Sequence, residues 1–140
     1  MAFWDASAIV PLCCSQRAST QGRQLRRELK RMVAWWGTPL EARSAFARLG
    51  RDGDISPDER VAAVNLLVQL RATWDEILPT EKLRSLAEEL PDAHRLRAAD
   101  AVQLAAALVW CRERPRKRPF VCFDQRLRTA ASELGFSVRP

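Results

Sequence analysis

Short apolar runs alternate along this chain with longer segments in which apolar residues recur at helical spacing. The apolar runs are predicted strands, at residues 2–4, 32–37, 75–79, 119–123 and 136–138. Strands separated by helices connect in parallel, and a parallel sheet needs helices on both of its faces. The alternation therefore predicts an α/β fold with a central, mostly parallel sheet of about five short strands. The length, 140 residues, fits one domain, which we assign to residues 1–140.

The starts of the predicted helices carry capping signals. "TPLE", residues 38–41, reads as a capping box in which Thr38 and Glu41 satisfy each other's free backbone amides, with Pro39 at the first helical position. "SPDE", residues 56–59, is a second box of the same form. In the first helix, which follows residue 5, Pro11 predicts an early stop.

One predicted helix is far more apolar than the others. Between Ala101 and Cys111 only Gln103 is polar, so we expect this helix to be enclosed on nearly every side. Asp100 lies in its first turn, where the helix dipole favours a carboxylate. The small neighbours of Asp100, two alanines, leave room beside it for an ion or a substrate.

Four acidic residues stand at the starts of predicted helices: Asp5, Glu41, Asp100 and Asp124. Asp5 and Asp124 each follow a strand directly, and in open parallel sheets ligands bind at the carboxyl ends of the strands. Each acid alone has a simpler explanation, because acidic residues cap helices and interact with the helix dipole. Clustered carboxylates repel one another unless cations hold them, and ligands that are all oxygen fit Mg²⁺ or Mn²⁺.

Composition and charge narrow the classes of function. A single histidine, His94, and four cysteines without a C-x-x-C pair argue against a zinc site and against a histidine-dependent hydrolase. We expect His94 to be a surface or hydrogen-bonded residue. The formal net charge of +6 favours an anionic partner such as nucleic acid. No apolar run approaches the roughly 20 residues of a membrane span, so we expect a cytoplasmic protein without a membrane partner.

Four short motifs, in this order, resemble those of a known family. "DASA", "TPLEARSAFARL", "LRAADAVQLAAAL" and "FDQRLRTAASELGF" are similar to motifs of the PIN-domain ribonucleases, specifically the VapC-like toxins of bacterial type II toxin-antitoxin pairs. The resemblance covers essentially the whole chain. It implies a single PIN-like domain with an acidic pocket that binds a divalent metal, Mg²⁺ or Mn²⁺, and cleaves RNA as an endoribonuclease.

The resemblance also implies roles for individual residues. The catalytic, metal-binding acids would be the four singled out above, Asp5, Glu41, Asp100 and Asp124. Ser7 matches the supporting hydroxyl of the opening D-x-S, whereas Cys122 stands where the family often has threonine or serine. A metal held by carboxylates lowers the pKa of a bound water and stabilises the transition state of phosphodiester cleavage.

Basic and aromatic residues are candidates for holding RNA. The densest basic cluster is "RERPRKRP", residues 112–119, although a solvated loop explains it equally well. The candidate RNA-contacting residues are Arg43, Arg48, Arg116, Lys117 and Arg118. Trp35 and Trp36 are neighbours on a predicted strand and point in opposite directions, so at least one should be a core residue.

The expected partners are an RNA substrate, a cognate antitoxin and a second copy of the chain in a homodimer; the last two come from the resemblance alone. Two alternatives stay open beside the toxin: a non-catalytic PIN-like binding module whose acids only cap helices, and a housekeeping RNA-processing nuclease. An aspartyl-phosphate phosphatase is disfavoured because the opening motif is D-A-S rather than D-x-D.

Overall fold

Five strands and seven helices alternate along the chain in the computed structural model, which describes all 140 residues. The strands are β1 (Ala2–Trp4), β2 (Met32–Trp35), β3 (Asp75–Ile77), β4 (Pro119–Val121) and β5 (Ser137–Arg139). The helices are α1 (Ala6–Cys13), α2 (Ser19–Leu29), α3 (Thr38–Arg51), α4 (Pro57–Arg71), α5 (Glu81–His94), α6 (Ala98–Trp110) and α7 (Gln125–Glu133). The predicted α/β fold is confirmed.

All five strands pair in parallel, in the order β3-β2-β1-β4-β5. The chain places β2 and β3 on one side of β1 and then crosses over to place β4 and β5 on the other side. The strand order therefore reverses between β1 and β4, whose register pairs Phe3 with Phe120. Such a reversal leaves a crevice at the carboxyl ends of the two strands, which is where ligands bind in open parallel sheets.

Helices cover both faces of the sheet and create two apolar cores. Because adjacent residues of a strand point to opposite faces, Phe3 packs with α5, α6 and α7, while Trp4 packs with α1, α3 and α4. Both side chains are fully buried. Helix α6 lies deepest, since residues 104–107 expose no surface, and this confirms the enclosed helix predicted from its composition.

Two helix ends differ from their predictions. α1 continues two residues past Pro11, to Cys13, because Val10 and Cys13 are buried in the core that contains Trp4, Leu12 packs against that core, and the ring removes only one backbone hydrogen bond. The predicted capping box at residues 38–41 is also wrong: α3 begins with Gly37 as its N-cap, and no side chain caps it. The box at Ser56 and Glu59 is confirmed, with both of its hydrogen bonds present.

The exposed apolar side chains are few. Trp35 is 8% exposed and belongs to the core as expected, whereas Trp36 is 52% exposed. Trp36 lies beyond the end of β2, and its ring meets the Trp35 ring edge-on with the centroids 6.2 Å apart, so the two side chains do not take the opposite directions predicted for strand neighbours. Leu40 and Leu78 are also exposed. None of the helices is both long enough and apolar enough to span a bilayer.

Candidate active site

Asp5 lies at the carboxyl end of β1 and caps α1. Its Oδ2 accepts a hydrogen bond from the Ser7 backbone amide over 2.9 Å, and its own backbone amide donates to the Val121 carbonyl of β4. Only 4% of Asp5 is exposed. Because a carboxylate has two oxygens that accept several hydrogen bonds, capping leaves acceptor capacity for a ligand. The backbone thus fixes Asp5 at the switch point of the sheet.

Ser7 connects the turn after β1 with the turn after β4. Its hydroxyl accepts a hydrogen bond from the Phe123 backbone amide over 3.0 Å and lies 3.5 Å from the Cys122 Sγ. The same sulfur lies 3.6 Å from Asp5 Oδ2 and 3.4 Å from the Asp124 backbone carbonyl oxygen. A thiol is a weak hydrogen-bond donor, so Cys122 supports Asp5 less firmly than a hydroxyl would.

Asp124 follows β4 and caps α7. Its Oδ1 accepts a hydrogen bond from the Leu127 backbone amide over 2.9 Å. Unlike Asp5, Asp124 is exposed. Since β1 and β4 are neighbours in the sheet, the two acids flank the same crevice.

Glu41 is not held by the cap that its sequence predicts. Because α3 starts one residue early, the Glu41 amide donates within the helix to the Gly37 carbonyl over 3.2 Å. Glu41 Oε1 instead accepts a hydrogen bond from Nε2 of Gln103 over 3.2 Å. The same Nε2 donates to the Thr38 hydroxyl, also over 3.2 Å. Gln103 therefore binds both residues of the predicted box.

Gly37 accounts for the early start of α3. A Cβ at this position would lie 2.4 Å from Nε1 of Trp35, closer than side-chain atoms can approach. Only a residue without a Cβ lets the Trp35 indole fold back over the start of the helix. Gly37 is the N-cap and Thr38 the first residue of the helix, and the Thr38 hydroxyl accepts a hydrogen bond from Gln103.

Burial and neighbouring negative charges raise the pKa values of Asp5 and Glu41. Burial raises the pKa of Asp5, the hydrogen bonds from Ser7 oppose that shift, and the charge of Asp100 adds to it. Burial is also the first cause that raises the pKa of Glu41 to about 7, followed by the charge of Asp5. The Gln103 hydrogen bond partly offsets the shift of Glu41.

Asp100 connects this pair with Asp124. It is half-buried in the first turn of α6, and burial followed by the charge of Asp124 raises its pKa. The backbone and the charges of Arg126 and Arg97 oppose this shift. None of the four acids forms a salt bridge, so the negative charge at this edge has no paired cation.

An open cleft of about 300 Å³ lies over the acids. Its polar lining residues are Asp5, Ser7, Gln16, Glu41, Arg48 and Asp100. Asp124 does not line the cleft, but its charge contributes to the raised pKa of Asp100, which does. The structure thus brings three of the predicted site acids around one cleft and places the fourth within electrostatic range.

The chemistry of these donors fits a hard divalent cation. Carboxylate oxygens are the ligands that Mg²⁺ and Mn²⁺ prefer, and a cation would relieve the repulsion that adds to burial in raising the pKa values of Asp5, Glu41 and Asp100. In the arrangement described here, however, no group of three or more His, Cys, Asp or Glu side chains is positioned to hold a metal ion. The cation therefore stays a prediction.

The candidate RNA-contacting residues lie in different parts of the molecule. Arg48 lines the acidic cleft, whereas Arg43 lines a separate surface hollow next to Arg60. The other three precede β4 and, because the strands are parallel, lie at the opposite edge of the sheet from the acids: Arg116, Lys117 and Arg118. The structure does not bring this basic group to the cleft, and its contact with RNA stays a prediction.

The sequence also contained a signal for Gln103 that the motifs did not use. Gln103 is the single polar residue in the enclosed part of α6, and it follows Asp100 by one helical turn. It is fully buried, and its Oε1 has no hydrogen-bond partner. An unpaired buried polar atom costs about 1–3 kcal/mol, so an amide at this position has to be explained by what it binds. His94, by contrast, forms a hydrogen bond with Glu133 over 2.7 Å and does not line the cleft.

Two curated relatives match this chain over its full length. Ribonuclease VapC45 of Mycobacterium tuberculosis (strain CDC 1551 / Oshkosh) is 29% identical over 140 residues, which cover 100% of this chain and 95% of the relative. Ribonuclease VapC49 of Mycobacterium tuberculosis (strain ATCC 25618 / H37Rv) has the same identity and coverage. No protein-family model matches the chain. The two relatives confirm the resemblance that the four motifs predicted.

Proposed function

We propose that this VapC-like chain is an endoribonuclease that acts as the toxin of a toxin-antitoxin pair. The observation that carries the proposal is the gathering of Asp5, Glu41 and Asp100 around one cleft at the switch point of the sheet. The reaction is hydrolysis of RNA, in which water adds to the phosphorus of a phosphodiester and one P–O ester bond breaks. The names of the two relatives support ribonuclease chemistry at this cleft.

A divalent cation, Mg²⁺ or Mn²⁺, belongs to this proposal. When bound, such a cation lowers the pKa of a water molecule and stabilises the developing charge on the phosphate. The residues that would hold it are Asp5, Glu41, Asp100 and Asp124. The lack of a paired cation at these four acids supports this assignment, as do the raised pKa values of Asp5, Glu41 and Asp100.

The residues around the acids would orient the RNA. Arg48 follows Glu41 by two helical turns on α3 and lines the same cleft, so its guanidinium can bind a phosphate beside the acids. Arg97 and Arg126 are near enough to oppose the pKa shift of Asp100 and are further candidates for phosphate contact. Ser7 braces the two acid-bearing turns through the Phe123 amide.

RNA cleavage by the purified protein tests the enzyme. We expect cleavage with Mg²⁺ or Mn²⁺ and none in excess chelator. Asp5→Asn and Asp100→Asn should each lower the rate about 100-fold or more, because each removes a charged ligand. The matched control is Glu59→Gln, which changes an acid that only caps α4 and should leave cleavage unchanged. Undiminished cleavage by Asp5→Asn would contradict the site, and absence of cleavage in every metal would favour a non-catalytic module.

Growth of a bacterial host tests the biological role. Expression of the wild-type chain should arrest growth, whereas expression of Asp5→Asn should not. Co-expression of a cognate antitoxin should restore growth, and light scattering of the purified chain should give the mass of a homodimer. Normal growth despite RNA cleavage in vitro would favour a housekeeping nuclease.

A further inference from the structure

Gln103 occupies a position where packing alone would favour an apolar side chain. Its neighbours along α6, residues 104–108, are buried apolar residues, and Gln103 itself has no exposed surface. Its Nε2 makes two hydrogen bonds, while its Oε1 makes none. An amide buried with only part of its hydrogen bonds loses free energy relative to water, whereas leucine or methionine would not. The two bonds of Nε2 are therefore the reason to look for a role.

Those bonds connect the two helices that carry half-buried acids. Gln103 lies three residues after Asp100 on α6, so both side chains are on the same face of that helix. From there Nε2 reaches Glu41 Oε1 on α3 over 3.2 Å. Because α6 is the most enclosed helix, packing holds the Gln103 amide in place. Its hydrogen bond then restricts the orientation of the Glu41 carboxylate.

Glu41 needs such a support because its capping partner is missing. Its side chain has several rotatable bonds, and the cap that would have held it is absent because Gly37, and not Thr38, is the N-cap of α3. A hydrogen bond from a fixed donor selects one orientation and reduces the entropy that Glu41 would lose on binding a ligand. It also occupies one oxygen and leaves the other available.

We propose that Gln103 is a positioning residue of the acidic site: its amide orients the Glu41 carboxylate beside the cleft and thereby sets the affinity for a divalent cation. This inference rests on the proposed function, since it assumes that the acids bind a cation. Gln103 contacts neither the cation nor the RNA. It acts through Glu41 alone.

The inference is tested by measuring the binding of Mn²⁺ to the purified full chain. Electron paramagnetic resonance measures this binding in the absence of RNA. Gln103→Met keeps the shape of the side chain and removes its donors. We expect its dissociation constant for Mn²⁺ to be about tenfold higher than that of the wild type, which is the low end of the effect of removing a group that orients a metal ligand. Gln103→Leu, a second apolar variant, should behave in the same way and covers the case in which Gln103→Met does not fold.

Two controls separate positioning from general support of the fold. Thr38→Val removes the other acceptor of Nε2 and leaves the bond to Glu41, so Mn²⁺ affinity should stay within about twofold of the wild type. In a Glu41→Gln background, Gln103→Met should have no further effect, because the residue through which Gln103 acts has lost its charge. In cleavage assays, Gln103→Met should need about tenfold more Mn²⁺ for half-maximal rate and should approach the wild-type rate at saturation.

The possible outcomes distinguish this inference from the proposed function. If the wild type binds Mn²⁺, Asp5→Asn does not, and Gln103→Met binds like the wild type, the inference is overturned and the proposed function stands. A loss of affinity that persists in the Glu41→Gln background would show a structural role and would also overturn it. If the wild type does not bind Mn²⁺, the metal site of the proposed function fails and the inference fails with it.

Discussion

The chain contains the same helix-start pattern twice, and the two copies behave differently. "SPDE" at the start of α4 forms a complete capping box, in which Ser56 and Glu59 bond each other's backbone amides. "TPLE" at the start of α3 forms none, and Glu41 bonds Gln103 instead. A glutamate in this pattern caps the helix by default. The Glu41 carboxylate lies beside the cleft because Gly37 replaces Thr38 as the N-cap and Gln103 donates a hydrogen bond to it.

The environments of the two helix starts explain the difference. α4 begins at the surface, where Ser56 and Glu59 are exposed. α3 begins directly after β2, where Trp35 folds back over Gly37 and Thr38 is fully buried. Next to the sheet, the side chains of Thr38 and Glu41 therefore bond Gln103 of α6 instead of capping α3.

The largest expected difference between the two helix starts is the effect of their glutamates on the rate of RNA cleavage. Glu41→Gln should lower the cleavage rate about 100-fold, because it removes a charged ligand of the proposed cation. Glu59→Gln should leave the rate unchanged, since glutamine also serves at this position of a capping box. Rates of both variants measured on one RNA substrate at equal Mg²⁺ make the comparison. Equal rates for the two would mean that Glu41 is only a residue of the helix start.

The glycine before α3 should matter more for stability than the glycine near its end. Gly37→Ala should lower the free energy of unfolding by about 1–3 kcal/mol, because the new Cβ overlaps the Trp35 indole. Gly50→Ala is the matched change within α3 and should raise stability by about 0.5–1 kcal/mol, since its Cβ would meet only Arg60 Cδ, at 3.6 Å. Urea unfolding measures both. A stable Gly37→Ala protein would show that the indole does not determine the start of the helix.

Stability of the metal-free protein should depend on pH through Glu41 and not through Glu59. The pKa of Glu41 is raised from 4.5 to about 7, so between these values the folded state binds more protons than the unfolded state. Stability is therefore highest below this window and falls as the pH rises through it, by about 1–2 kcal/mol for a partly exposed group. Urea unfolding at pH 5 and at pH 8 checks the slope.

Two changes should reduce that slope, to which Asp5 and Asp100 also contribute because their pKa values are raised. Glu41→Gln takes away the titrating group, and Mg²⁺ should restore stability at pH 8 by binding the ionised carboxylates. Glu59→Gln should keep the wild-type slope. An undiminished slope in Glu41→Gln would assign the pH dependence to other groups.

The smallest expected effect is the loss of the intact box. Ser56→Ala removes the hydroxyl that accepts from the Glu59 amide and should lower the free energy of unfolding by about 1 kcal/mol. Cleavage at saturating RNA should not change, because α4 contributes no residue to the acidic cleft. A parallel fall in cleavage would indicate that the start of α4 supports the site.

The elements of this fold were predictable because their signals are local. The apolar run before Asp5, the alanine-rich stretch after Asp100 and the box at Ser56 are each read from a few neighbouring residues, and the structure confirms all three. The parallel direction of the strands followed from their alternation with helices, whereas the strand order was not predicted.

The errors arose where distant contacts decide. The helix start at Thr38 depends on the Trp35 indole and on Gln103, which is 65 residues away along the chain. The helix that contains Pro11 continues because its buried residues pack in the core. The basic group before β4 is a different case: in the predicted parallel sheet, residues that precede a strand lie at the end opposite to residues that follow one, and the list of candidate RNA contacts overlooked this.

The central position of β1 has a consequence for the newly made protein. β1 is synthesised before β4, which is one of its two neighbours in the sheet, and the contact between Asp5 and Cys122 spans 117 residues. At about 5–20 residues per second, a ribosome needs on the order of 10 s to make that span. Until then the crevice lacks one wall, and Asp124 does not yet exist. Under the proposed function, a nascent chain tethered to its own messenger RNA would thus lack a complete site for cutting it until β4 and Asp124 have been made.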